Sequence, residues 1–443
     1  MKKIIIALFL LGAGMLQAQV LAERERSRVT DEIQSERFTQ LLPKLMDRTG
    51  IDMWIVISRE YNEDPVLRTM LPSTWLNARR RTILVFYRDQ QEDSLQKLAI
   101  ARYKIGDNIE SAWDKEAQPD QWQALMDIIE ERDPEKIGLN ISENYGIADG
   151  LVKTDYDEFT SALPQKFQDR IVSAEELAVG WIETRTMREM IVYSDLARIT
   201  HEIIEEAFSS RVIEPGVTTT DDVVWWMRQK VTDMGLETWF HPTVDIQRSK
   251  EKLVDHITAF SDENGSSVIL PGDLVHCDFG ITYLNLNTDC QQMAYILKDG
   301  EDEAPKFLRE AFAKGNRLQD ILTSNFKTGL SGNQILKKSL QQAKEEGLKA
   351  SIYTHPLGLY GHSAGPTIGM WDQQEGVPGT GDYPLYENTV YAIELNTEVE
   401  IPEWEKSVRI MLEEAGFWGE EGFRYVNQRQ RELMLIPTEK ANN

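Results

Sequence analysis

Between residues 23 and about 50, apolar Ile33, Phe38, Leu41, Leu42 and Leu45 recur every three or four positions. That period puts one helical face toward a core. The pattern then shortens. Ile51-Asp52-Met53-Trp54-Ile55-Val56-Ile57 reads as a strand, as do Thr82 to Tyr87 and the short Lys136 to Asn140. These runs are too short for buried helices and rich in β-branched or aromatic residues. Helical stretches separate them at 122–131 and 155–163. Strands alternating with helices predict a small α/β domain over residues 23–172.

From Ala174 to Phe208 the pattern is strongly helical, and a boundary falls between 172 and 185. A second long helix is expected over 221–234, after Glu214-Pro215-Gly216 and the candidate caps Thr218, Thr219 and Thr220. Leu270-Pro271-Gly272-Asp273 marks a turn, with strands at 274–283 and 288–297. Helices follow at 303–322 and 332–347, a Gly/Pro-rich loop at 355–369, and closing strands at 390–399 and 408–413. The second domain, 185–437, is therefore α+β. It carries a faint internal echo: a turn leads into a strand ending on a carboxylate at Gly272 to Asp278 and again at Glu387 to Glu394.

Composition narrows the function. The 443 residues are 41% hydrophobic and 27% charged, enough apolar material for two cores. A net charge of −25 argues against nucleic acid and against an anionic membrane. At the start, Met1-Lys2-Lys3 precedes apolar Ile4 to Leu16, and Leu16-Gln17-Ala18 ends on a small residue. This predicts a cleaved secretory signal over 1–18 and a soluble protein in the periplasm or outside the cell. Two cysteines, Cys277 and Cys290, do not make a disulfide framework.

Asp278 and Asp289 both sit in strand-like segments. If the strands form a hairpin with these residues opposed, their carboxylates share one face and repel unless a cation joins them. The same register opposes Cys277 and Cys290 on the other face, where an oxidising compartment could link them. Taken alone, two such Asp are as well read as turn or surface residues. His355 and His362 lie seven apart in His355-Pro356-Leu357-Gly358-Leu359-Tyr360-Gly361-His362. Pro and Gly exclude a helical metal-binding face there, while the glycines permit close backbone approach. Glu394 follows apolar Val390 to Ile393 and needs a partner if buried, for which a salt bridge suffices.

Together these residues resemble the pita-bread metallopeptidases, the family of creatinase, aminopeptidase P and methionine aminopeptidase. That family holds two divalent metal ions with two Asp eleven residues apart, a His and two Glu. Asp278 and Asp289 match the first two, within His276-Cys277-Asp278-Phe279-Gly280 and Asn287-Thr288-Asp289. His355 matches the metal His, His362 the substrate-contacting His seven residues later, and Glu394 the first Glu. The resemblance covers about residues 185–435, and the preceding domain resembles the N-terminal domain of creatinase and aminopeptidase P. It implies a secreted aminopeptidase of the Xaa-Pro type. Manganese, zinc or cobalt would activate a water, Glu394 would relay a proton, and His362 would donate to the substrate or the tetrahedral intermediate. The N-terminal domain would narrow the entrance in favour of short peptides. A homodimer is expected on the same ground.

The match departs at the last ligand. Met411 occupies the slot after Val408-Arg409-Ile410 where the family has Glu, and a thioether poorly suits a hard cation. Glu413, two residues on, falls on the same strand face and could replace it. His276, two before Asp278, is another possible compensation, and a site with one metal or none is a third. The family's substrate-side His has no counterpart at the usual spacing, although His256 and His241 lie upstream, and His256 is the candidate substrate contact. Two rivals follow: a metal-poor C–N hydrolase of the creatinase kind, and a peptide-binding pseudoenzyme.

Overall fold

The computed structural model describes residues 20–249 and 266–438. The expected signal segment 1–18 and His256 lie outside the described residues. The first domain is built on a six-stranded sheet in the order Glu110–Ser111, Ser94–Ile100, Arg81–Asp89, Met53–Arg59, Ile137–Leu139, Ile171–Ser173. Its central strand is apolar from Met53 to Ile57 because both faces are covered there. Trp54 and Val56 pack with Phe38, Leu42 and Phe86 on one side. Met53, Ile55 and Ile57 pack with Leu125, Ile129 and Phe159 on the other. The long N-terminal helix forms as Glu23–Glu36 and Leu42–Thr49 joined by a π-helical turn, Arg37–Leu41. It stops at Gly50, whose φ of 66° turns the chain out of the helix. The strand Ser94–Ile100 was not expected. Only its last three residues are buried, so it lacks a full apolar alternation.

The helix Glu175–Glu183 packs Leu177, Trp181 and Ile182 into the first domain's core. Met187–Ala207 follows, started by a reciprocal cap between Thr186 and Glu189. Glu189 also pairs with Arg37 at 2.9 Å, both side chains buried, which pins the N-terminal helix to the second domain.

The second domain has two sheet halves. One runs in the order Met434–Ile436, Cys290–Ile296, Leu274–Phe279, Thr243–Gln247, with apolar residues of Met187–Ala207 and Thr220–Asp233 in its core. The other comprises Lys349–Ile352, Leu395–Ile401 and Lys406–Leu412, beside His355–Leu357, Thr389–Ala392, Ala415–Gly419 and Gly422–Tyr425. Lys306–Ser324 and Gly332–Glu345 pack on this half. Gly315 lets Ile410 approach where a Cβ would lie 2.6 Å from its methyl group. The two echoing segments begin alike, with Gly272 at φ 95° and Asn388 at φ 64° just before their strands. His355 opens a strand that pairs with Thr389–Ala392, not the loop expected at 355–369.

The hairpin register differs from expectation. Asp278 faces Gln291, not Asp289, and Cys277 faces Gln292, not Cys290. The cause is the turn. Thr282 and Tyr283 pair with Asn287 and Leu286, and the chain reverses through Leu284 and Asn285, both at positive φ. Such a two-residue turn centres the hairpin one residue later than assumed and moves the partner by two. Because the shift is even, Asp278 and Asp289 keep a common face. The cysteines become diagonal neighbours, and both are buried free thiols. Burial pushes both thiol pKa values up, which makes them unreactive. A thiol reagent should therefore label neither cysteine in the folded protein and both in denaturant. Labelling of fewer than two in non-reducing denaturant would reveal a disulfide.

Candidate metal centre

Every side chain matched to a family ligand sits at or just beyond a strand end where the two sheet halves meet. Asp278 is the penultimate residue of Leu274–Phe279, and Asp289 immediately precedes Cys290–Ile296. His355 begins His355–Leu357. Glu394 lies between Thr389–Ala392 and Leu395–Ile401, and Glu413 between Lys406–Leu412 and Ala415–Gly419. The halves join through Gln291 and Glu413, which exchange two backbone hydrogen bonds of 3.0 and 3.1 Å. That pairing extends the Asp278–Gln291 row by one strand and turns Glu413 to the same face.

His355 Nε2 lies 3.6 Å from Asp289 Oδ2, 3.6 Å from Glu413 Oε1 and 3.9 Å from Glu394 Oε2. Asp278, Asp289 and Glu413 bring one oxygen each within 4.8 Å of one another, and His355, Glu394 and Glu413 do likewise with one ligand atom each. Asp278 Oδ1, Asp289 Oδ1, Glu413 Oε1 and His355 Nε2 are buried without a hydrogen-bond partner. Buried polar atoms of this kind are costly unless something satisfies them. Four convergent, unpaired N and O donors suit divalent cations that prefer carboxylate and imidazole. His355 is also pre-set for the task. Its Nδ1 lies 2.9 Å from the Pro356 carbonyl, which can only accept, so Nδ1 carries the proton and Nε2 offers its lone pair.

The electrostatics agree. Burial first, then Asp289, holds the Asp278 carboxyl pKa well above the usual range. Burial and Glu413 raise Glu394, and burial and Asp289 raise Glu413 to about 8. Burial alone would lower His355, but Asp289 and Glu413 bring it well above the ordinary imidazole value. Crowded carboxylates that resist ionising together are what a cation relieves.

Met411 offers only a thioether, a poor ligand for a hard cation. It pairs with Asn396 inside Lys406–Leu412, and its side chain is buried. His276 turns away from the cluster, toward Gln291 Oε1 at 3.0 Å and Asp245 Oδ2 at 3.6 Å. His241 is exposed beside Arg228 and Trp225 and does not reach the centre. His362 stands at the rim, its ring 4.7 Å from that of His355. Partial desolvation first, and His355 second, lower its pKa to about 4. Edge-on against it, at 5.2 Å, is Trp239, which donates from Nε1 to the Thr288 carbonyl at 2.8 Å. Trp239 is held where Gly280 and Gly361 leave space, since a Cβ on either would come within 2.6 Å of the indole. Neither Trp239 nor Gln291 was singled out from the sequence. The Trp239-Phe240 pair before a strand was the one available signal for the former.

Comparison with known proteins places this geometry. Residues 193–413 match the profile of metallopeptidase family M24. No curated protein matches the chain by sequence. Among solved structures, the X-Pro aminopeptidase of Thermotoga maritima is similar at TM-score 0.61 and 17% identity, over 88% of this chain and 99% of that one. The Xaa-Pro dipeptidase of Bacillus anthracis gives 0.55 and 17%, over 94% and 100%. The prolidase of Pyrococcus furiosus gives 0.54 and 16%, over 88% and 100%. At such identities these likenesses show the fold. With the family match spanning all five clustered side chains, from Asp278 to Glu413, the chain belongs to the pita-bread metallopeptidases of family M24.

Proposed function

We propose that this protein is a metal-dependent aminopeptidase of the Xaa-Pro type that removes the N-terminal residue of short peptides with proline second. The observation that carries the reading is the set of four buried, unpaired donor atoms on Asp278, Asp289, His355 and Glu413, converging beside Glu394. These five residues would hold two divalent ions, manganese, zinc or cobalt, which supply Lewis acidity and a water of lowered pKa. Glu394, beside the ions that these residues would hold, would accept the proton of the attacking water and pass it to the leaving amine. His362 is neutral at pH 7 and would offer an N–H from one ring nitrogen to the substrate carbonyl. Short peptides fit the placement of the first domain. Tyr145 donates to the Gly365 carbonyl at 2.9 Å, and Tyr360 donates to the Pro65 carbonyl at 2.8 Å, bracketing the His362 segment. Secretion to the periplasm or beyond, and a homodimer, complete the proposal.

The test is to load the protein with each metal, measure bound ions by mass spectrometry, and assay Xaa-Pro dipeptides against Xaa-Pro-Xaa tripeptides. Two ions per chain with cleavage of the Xaa-Pro bond is the expected result, and preference for the tripeptide separates an aminopeptidase from a dipeptidase. Bound metal without peptide cleavage would favour another C–N hydrolysis, and no bound metal a peptide-binding pseudoenzyme. The rim gives a further prediction. Gly361→Ala places a methyl group 2.4 Å from the Trp239 indole and must displace it. Metal uptake should persist while kcat/KM falls by up to about 100-fold, as a misplacement of ~1 Å can cost. Unchanged peptide kinetics would remove Trp239 from the substrate wall.

A further inference from the structure

Behind the cluster, a row of polar side chains crosses three strands. Asp245 on Thr243–Gln247 is the cross-strand partner of His276, and Gln291 is the partner of Asp278, two residues further along the same face. All three are buried, Gln291 completely. Gln291 Nε2 lies 2.6 Å from Glu394 Oε1 and 2.9 Å from Glu413 Oε2. Carboxylates ionised by bound metal only accept, so in that state the amide gives one proton to each. Its oxygen then faces His276 Nε2 at 3.0 Å and accepts from it. His276 Nδ1 lies 3.6 Å from Asp245 Oδ2, and neither atom has a hydrogen-bond partner.

The division of oxygens is the telling feature. Gln291 takes Oε1 of Glu394 and Oε2 of Glu413. The other oxygen of each, Glu394 Oε2 and Glu413 Oε1, is left facing His355 Nε2. One amide thus sets the planes of two carboxylates from different strands, while its own backbone carries the pairing that delivers Glu413. Burying three polar side chains in the sheet is costly unless the row is satisfied.

We propose that Gln291 is a positioning residue for metal binding, orienting Glu394 and Glu413, and that His276, backed by Asp245, orients Gln291. This rests on the metal-binding reading above. The test uses the full chain stripped of metal and titrated with manganese by calorimetry, alongside peptide kinetics. Gln291→Met keeps length and backbone pairing but removes both donors, His276→Leu removes the donor behind it, and His276→Gln restores an N–H at similar reach. Outer-shell partners of metal ligands are worth 10–100-fold in affinity or activity, so Gln291→Met and His276→Leu should each weaken binding at least about tenfold, with His276→Gln within about threefold of wild type. kcat should fall with them while KM changes little. Wild-type affinity in both Gln291→Met and His276→Leu, even with a lowered melting temperature, would make the row merely structural and overturn the proposal. Failure of the wild type to take up metal would instead overturn the metal-binding reading, and this one with it.

Discussion

Glu413→Gln should abolish metal uptake and peptide hydrolysis, whereas Met411→Leu should leave both intact. The pair tests which side chain supplies the fifth ligand, since Met411 stands where the run Val408-Arg409-Ile410 leads one to expect it. Glu413 Oε1 is buried, unpaired and 3.6 Å from His355 Nε2. Gln at this position keeps the shape but replaces an anionic oxygen with an amide and leaves the remaining carboxylates short of a partner. Loss of a direct ligand should exceed the 10–100-fold typical of outer-shell changes, so activity should fall by more than about 100-fold. Met411→Leu is a volume-conserving change at a buried position and should cost less than ~1.5 kcal/mol of stability. Metal content by mass spectrometry and kcat/KM on an Xaa-Pro peptide decide the matter. Retained metal in Glu413→Gln, with loss in Met411→Leu, would reverse the assignment.

What the sequence disclosed and what it hid follow one division. Chemistry carried by parity survives errors of register. Asp278 and Asp289 share a face under any even shift, so their meeting was legible although the partner of Asp278 was misjudged by two residues. Glu413 was reachable for the same reason, lying two residues from Met411 along an alternating strand. Both faces of the first domain's sheet were legible in the run Met53 to Ile57, because burial on two sides leaves no polar position. The turn at Leu284 and Asn285 was not, since a Leu at positive φ carries no local signature. Gln291 and Trp239 were hidden for another reason. A Gln in a strand, here followed by Gln292, reads as a solvated position. Its meaning appears only when Glu394 and Glu413, more than 100 residues away, are set against it. Trp239 becomes a wall only because Gly280 and Gly361 stand on either side.

The crowded carboxylates also dictate how stability responds to pH and metal. Asp278, Glu394 and Glu413 have folded-state pKa values above their ordinary ones, Glu413 at about 8, first through burial and then through neighbouring carboxylates, Asp289 for Asp278 and for Glu413, and Glu413 for Glu394. Between pH ~4.5 and ~8 the metal-free folded protein therefore binds more protons than the unfolded chain, and these groups make stability fall as pH rises. This is the reverse of the usual salt-bridged carboxylate. His355 acts in the same direction, because its raised pKa gives stability that is lost as pH climbs through it. Metal ions replace those protons and remove the penalty. The metal-free protein should thus melt at a lower temperature at pH 8 than at pH 5.5, and metal should raise the melting temperature more at pH 8. At metal concentrations of 100 times Kd the stabilisation is about 2.7 kcal/mol per site. Contributions from outside the centre should remain after metal is added. Burial raises Asp64 to about 6 and Glu183, beside Tyr383, to about 8, and Glu183→Gln should reduce that residual slope above pH 6. Scanning calorimetry at both pH values, with chelator and with manganese, measures all of this. A metal-free protein more stable at pH 8, or an equal metal shift at both pH values, would mean that Asp278, His355, Glu394 and Glu413 do not carry the proton load that their burial and spacing require.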